Sequence, residues 1–162
     1  MSDIVAFLYS NAWRIAGVVA VVVLAAVAAV MGHTANFASQ LAMTDQGVAN
    51  LYDGQPTFAS LTTAIASRYA PTAMKGAGGT LVTPWNGTVT WGPDANTAQR
   101  DITITNVPVS QCTNLANALG NPVSISVNGQ TLTNSGSGID AGALSNACGD
   151  SGTVSLVYVV GK

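Results

Sequence analysis

Trp13 to His33 reads WRIAGVVAVVVLAAVAAVMGH. Within it, Ile15 to Gly32 is an unbroken run of eighteen small or apolar residues. As a helix this run is about 27 Å long, close to the roughly 30 Å of a bilayer's hydrocarbon core. Between Arg14 and Asp45 the one ionisable side chain is His33. A helix apolar on every side needs lipid or protein all round it. A cleaved signal peptide fits the run poorly. Ala26-Val27-Ala28 has the small-x-small form of a cut site, but the first charge is Asp3, the nearest Arg is Arg14, and the apolar residues begin at Ile4.

The helical pattern does not stop at His33. Phe37, Leu41, Thr44, Val48 and Leu51 recur at spacings of three and four and predict an apolar stripe. Asn36, Gln40, Asp45 and Asn50 are assigned to the polar positions elsewhere. With no proline before Pro56, one helix from Ile4 to Leu51 is allowed, about 70 Å long, and Tyr52-Asp53-Gly54 ends it. The expected organisation is therefore a helical region over 1–54, apolar over 1–32 and amphipathic over 33–54, followed by a globular head over 55–162. The apolar half needs lipid or sister copies; the amphipathic half needs the head.

The composition narrows the function classes. Of the 162 residues 48% are hydrophobic and only 7% charged; the acids are all Asp, and the formal net charge is −2. No basic patch exists for nucleic acid. The chain suits an extracellular surface that works by packing.

The head reads as runs of strands beside segregated helices, which is an α+β arrangement. A short helix is expected over Phe58–Ile65, and a loop over Ala70-Pro71 and Gly76–Gly79. Strands are expected at Thr88–Trp91 and Asp101–Thr105 from their alternation. Ser110 is the expected N-cap of a helix over Gln111–Leu119 that stops at Gly120. Ser124–Val127 and Thr131–Thr133 flank Asn128-Gly129, a strong hairpin signal, and Ala141–Asn146 predicts a helical turn. Thr153–Val160 is too apolar for an exposed edge and is placed inside the sheet. Cys112 and Cys148, 36 residues apart, match no metal-ligand spacing. In an oxidising compartment they are expected to pair, closing a loop worth roughly 3–4 kcal/mol; two buried thiols are the alternative.

A long helix of this kind, an antiparallel sheet and a C-terminal disulfide region together resemble the type IV pilins. The chain is similar to the type IVb branch, and within it to the thin-pilus major pilins of conjugative plasmids. The resemblance is carried by Leu51-Tyr52-Asp53-Gly54, by Phe58-x-x-Leu61-Thr62, and by Thr83-Pro84-Trp85-Asn86-Gly87-Thr88-Val89-Thr90. Cys112, Leu115, Leu119, Val127-Asn128-Gly129 and Cys148 ahead of a closing strand extend it over nearly the whole chain.

That resemblance implies the type IV pilin fold, with the long N-terminal helix packed on an antiparallel sheet. It also implies a homopolymer, a helical filament of identical subunits drawn from the inner membrane by the pilus assembly machinery, after processing by a prepilin peptidase. A tip adhesin would be a further partner, and the filament would stand outside the cell for attachment or conjugation. Ile15, Gly17, Val21, Leu24, Ala25, Ala28 and Ala29 are the expected packing residues of the filament core, the alanines permitting close helix approach. The family's Glu at the fifth mature residue is here Val5, so Met1, Asp3 and Arg14 are the candidate assembly charges, an acid in lipid being costly unless paired. For the family's leader ending in Gly two expectations stay open, that the sequence starts at the mature residue or that processing differs; a cut after Gly17 is rejected because it would leave too apolar a leader.

Nothing catalytic emerges. His33 marks the end of the apolar run. No Gly-x-Ser-x-Gly turn occurs, and the Gly76–Gly79 cluster lacks a phosphate-loop Lys-Ser/Thr. Asp94, Asp140 and Asp150 lie on loops without a calcium pattern. Asn86-Gly87-Thr88 is read as a turn into a strand rather than a glycosylation acceptor, and Trp85 and Trp91 as packing residues rather than a sugar platform. The expectation is a structural protein with no cofactor and no enzyme activity. The alternatives are a low-copy minor pilin or secretion pseudopilin acting as a tethered binding module, and a secreted enzyme or inhibitor.

Overall fold

The computed structural model describes residues 36–162, and Asn36–Lys162 form one compact unit. The expectations placed on Met1, Asp3, Arg14, Ile15, Gly17, Val21, Leu24, Ala25, Ala28, Ala29 and His33 lie outside the described residues.

Helix α1 covers 36–51 and ends in a turn over 52–54. After it come α2 (Thr63–Ala66), β1 (Leu81–Val82), β2 (Thr88–Pro93), β3 (Arg100–Pro108), α3 (Val109–Ala116), β4 (Ser124–Val127), β5 (Gln130–Thr133), α4 (Ala141–Cys148) and β6 (Thr153–Val160). The strands form one antiparallel sheet in the order β1-β2-β3-β6-β4-β5. The last strand lies between β3 and β4, so its apolar residues are covered by neighbours as its composition requires.

Register explains the core. Val89 stands opposite Ile104, Ile104 opposite Leu156, and Leu156 opposite Val127, giving one apolar row across four strands. Trp91, Ile102, Tyr158 and Ile125 make the next row. All eight side chains are buried in the cluster that also holds Phe37, Leu41, Val48 and Tyr52 of α1 and the turn after it. Each such side chain contributes about 1.5–3 kcal/mol by leaving water. The alternate positions form the sheet's other face: Thr88 and Thr90, Thr103 and Thr105, Ser124 and Ser126, Thr131 and Thr133, all exposed or half-buried.

A bulge between Ile104 and Val107 resets the alternation in β3, with Asn106 at φ 56°. Asn106 Nδ2 donates to Asn86 O at 3.2 Å and ties the bulge to the turn over 83–87. In that turn Thr83 Oγ1 accepts from Gly87 N at 2.8 Å, while Thr83 N donates to Gly87 O at 3.0 Å. A Cβ on Gly87 would stand 2.0 Å from Thr105 O, a backbone atom that cannot swing aside. Gly87→Ala is therefore expected to push β2 from β3 and destabilise the head by about 2–3 kcal/mol, read as a lowered urea midpoint; a variant as stable as the parent contradicts this packing. The Asn-Gly-Thr sequence is thus a turn into β2, as expected.

Four local expectations need correction. The helix over Phe58–Ile65 is shorter: Thr62 is extended, at φ −138°, and caps Thr63–Ala66 by accepting from Ile65 N. Phe58 is instead held in the core by its N–H to Thr97 O at 2.7 Å. Leu51 is 42% exposed, and Tyr52 takes the buried place because it stands one helical turn after Val48, whose carbonyl accepts from Tyr52 N at 3.2 Å. The cap of α3 is Pro108, not Ser110, because β3 runs straight into the helix and Val109 N bonds Gly152 O. The same helix stops at Ala116, where Asn117 closes it; Gly120, at φ 73°, serves the turn beyond.

Candidate functional site

Two features fix how the head presents its surfaces: an ion pair inside it and a disulfide at one end. Asp45 was assigned to the polar side of α1, and the structure corrects this. Asp45 turns inward and accepts two hydrogen bonds from Arg100, Nε to Oδ1 at 2.7 Å and Nη2 to Oδ2 at 2.8 Å. Arg100 is only 3% exposed. Its Nη1 donates to Gly161 O at 3.0 Å, and its guanidinium lies 5.0 Å from the centre of the Phe58 ring. Bidentate geometry of this kind is the strong form of the Arg–carboxylate contact. It locks α1 to the first residue of β3 and to the end of β6. Arg100 was missed in the sequence, although a signal exists: it shares the period-two phase of Ile102 and Ile104 and so points to the core.

Around this pair the helix is held by close apolar contacts. Phe37 meets Trp85 edge-on, with centroids 5.5 Å apart, and Tyr52 packs on Phe58 at 5.0 Å. Tyr52 OH and Ser60 Oγ share a hydrogen bond of 3.0 Å. Lys162 Nζ donates to Gln55 O and lies 5.9 Å from the centre of the Phe58 ring. Trp85 and Trp91 both pack inside the head, Trp91 buried and Trp85 half-buried. Trp91 Nε1 finds no hydrogen-bond partner among the described residues.

The two cysteines are joined. Cys112 of α3 and Cys148 of α4 have Cα atoms 5.9 Å apart, and the bridge fastens the two helices beside β6. Tyr158 OH donates to Leu115 O at 2.5 Å, adding a second tie between β6 and α3, and burial pushes its phenol pKa well up. Asp140 caps α4 by accepting from Ala143 N at 2.6 Å. On the open sheet face burial, and secondarily Asp94, raise the Asp101 carboxyl. Among the described residues no group of three or more His, Cys, Asp or Glu could hold a metal ion.

A third feature is an exposed helix face without charge. Asn36, Ser39, Met43, Gln46 and Asn50 of α1 face outward, with Met43 63% exposed. Gln40 Nε2 donates to Asn36 Oδ1 at 2.9 Å and Gln46 Nε2 to Asn50 Oδ1 at 3.1 Å, so the amides are ordered along the helix. Asp45 is the one charged residue of 36–51, and it is spent inside.

A family model described as PilS N terminal matches residues 32–160, which take in α1, the whole sheet and the disulfide. The chain belongs to the PilS N-terminal family. This is a pilin-related family, and the molecule is a pilin-like pilus protein. The PilS match runs through the Asp45–Arg100 pair and both cysteines. A search of the curated proteins returns no match, and a search of the solved structures returns none. Among the described residues no helix is long and apolar enough to cross a membrane.

Proposed function

We propose that the chain is the structural major subunit of a bacterial type IV pilus of the IVb kind, and not an enzyme. In this reading it waits in the inner membrane and polymerises through its apolar N-terminal helix into an extracellular filament. The assembly machinery and a prepilin peptidase handle it on the way, and the filament serves attachment or conjugation, with or without a tip adhesin.

The observation that supports the reading best is the uncharged outer face of α1. A helix turned only to water usually carries charges on that side. Here the face offers amides and a large flexible Met43, which suit packing against another protein surface. The apolar run of Ile15 to Gly32 continues the same theme towards the N-terminus.

Met43→Glu is expected to cut filament yield by roughly tenfold or more, because a carboxylate buried without a partner costs several kcal/mol. The head itself should be unharmed, since Met43 is exposed, and its melting temperature should move by no more than about 2 °C. Electron microscopy of sheared surface material measures the first, and calorimetry the second. Normal filaments from this variant contradict a buried α1 face. Abundance in those filaments separates a major subunit from a low-copy minor pilin or pseudopilin.

A further inference from the structure

The two edges of the sheet are treated differently. At the β1–β2 edge other parts of the chain take up backbone groups of both strands. Lys75 bridges Leu81, and Gly76 N donates to Thr80 O at 2.8 Å. Beyond β1, where β2 has no strand beside it, Thr63 Oγ1 accepts from Trp91 N at 3.0 Å and donates to Trp91 O at 3.3 Å. A side chain thus stands in for the missing strand.

The β5 edge has none of this. Val127 pairs with Gln130 and Ile125 with Leu132 across the two-residue Asn128-Gly129 turn. Asn134 N continues the ladder to Val123 O at 2.9 Å. Residues 130, 132 and 134 therefore turn their amides towards β4, and the alternation turns the N–H and C=O of Thr131 and Thr133 outward. Neither residue's backbone has a partner among the described residues on that side, and both residues are exposed. Natural edges are ordinarily blunted by Lys, Pro or an inward charge. Gln130-Thr131-Leu132-Thr133 has no such device, and from Ile102 to Ile139 the chain contains no Asp, Glu, Lys, Arg or His.

We propose that β5 pairs antiparallel with β5 of a second copy of this chain, joining two sheets edge to edge. Three observations select a second copy as the occupant. The opposite edge already holds Lys75 and Thr63, which disfavours head-to-tail addition of sheets and leaves the same strand meeting itself as the freer pairing. Symmetric pairing sets identical surroundings against each other, which any charge would oppose, and this region has none. The register follows from the outward amides. With the two-fold axis at Leu132, Thr131 faces Thr133 of the other copy twice, and both pairs exchange N–H···O=C bonds. The Thr side chains then form favourable cross-strand pairs on the open face. The two half-buried Leu132 residues meet as a non-hydrogen-bonded pair, with Cα atoms about 4.5 Å apart. The contact needs only the folded head and leaves the outer face of α1 available, so it stands apart from the filament reading and would link subunits sideways.

Leu132→Cys in the full-length chain, solubilised in detergent and oxidised, tests this. The expected result is a covalent dimer. Ala95→Cys, exposed in the β2–β3 loop, serves as the control and should give roughly tenfold less dimer. Adding Thr131→Pro and Thr133→Pro removes the outward N–H groups without touching a bond to β4, and should lower cross-linking about tenfold at an unchanged melting temperature. Should the prolines impair folding, Thr131→Lys with Thr133→Lys sets like charges opposite each other and should do the same, with partial recovery in high salt. Cross-linking of Leu132→Cys no stronger than that of Ala95→Cys overturns the proposal. So does cross-linking that persists undiminished in folded edge variants.

Discussion

Asp45→Ala is expected to cost the head about 3–5 kcal/mol, the penalty of stranding a buried cation. Arg100 is 3% exposed, and without Asp45 its remaining partners are Gly161 O and the Phe58 ring. Neither is an anion. Against a total stability of about 5–15 kcal/mol for a domain of this kind, such a loss leaves a marginal fold. The loss should be local in cause and global in effect, since the pair ties α1 to both β3 and β6. Replacing both partners, Asp45→Ala with Arg100→Met, should recover much of it, because an apolar pair in the same place leaves no charge to solvate. Urea unfolding of the two single variants and the double variant measures the coupling. A single variant that loses less than about 1 kcal/mol contradicts a buried, mutually dependent pair.

Cys112→Ser should be nearly as damaging. The bridge closes a loop of 36 residues, and losing it restores roughly 3–4 kcal/mol of chain freedom to the unfolded state. Both sulfurs sit in the core, so the variant also buries a hydroxyl in place of a sulfur. The melting temperature should fall by about 10 °C or more, and reducing agent should do the same to the parent chain. What survives longest should be the pairing of β2 with β3, the part of the sheet farthest in strand order from the α4-packed β4 and β5. An unchanged melting temperature under oxidising conditions contradicts this account of the staple. Because the bridge fastens α3 to α4, pilus yield should fall along with subunit stability.

Much of the head was legible because its signals are local. The Asn-Gly pair fixed the β4–β5 hairpin through backbone conformations that Asn128 and Gly129 tolerate, at φ 49° and 88°. The interior position of β6 followed from residues too apolar for an edge. What escaped was non-local. Asp45 reads as a surface acid until Arg100, 55 residues away, is known to face it. The cap of α3 was misplaced because a strand running directly into a helix needs no Ser. Leu51 was placed on the buried stripe although Tyr52, four residues after Val48 and bonded to it N to O at 3.2 Å, lies nearer the middle of that stripe. Of the candidate site residues, only Cys112 and Cys148 lie among the described residues, where they are joined. The expected filament-core residues from Ile15 to Ala29 lie outside them, and their role remains an expectation from the apolar sequence.

The central claim is that the apolar run before His33 stays on the chain and is buried among sister copies along a fibre. Mass spectrometry of filaments sheared from the cell surface, imaged in parallel by electron microscopy, tests it most directly. The account predicts filaments whose main component is this chain, with peptides from Ile15 to Gly32 present. Filaments lacking the chain, or a mature polypeptide that begins after Ala28 and stays monomeric, contradict it.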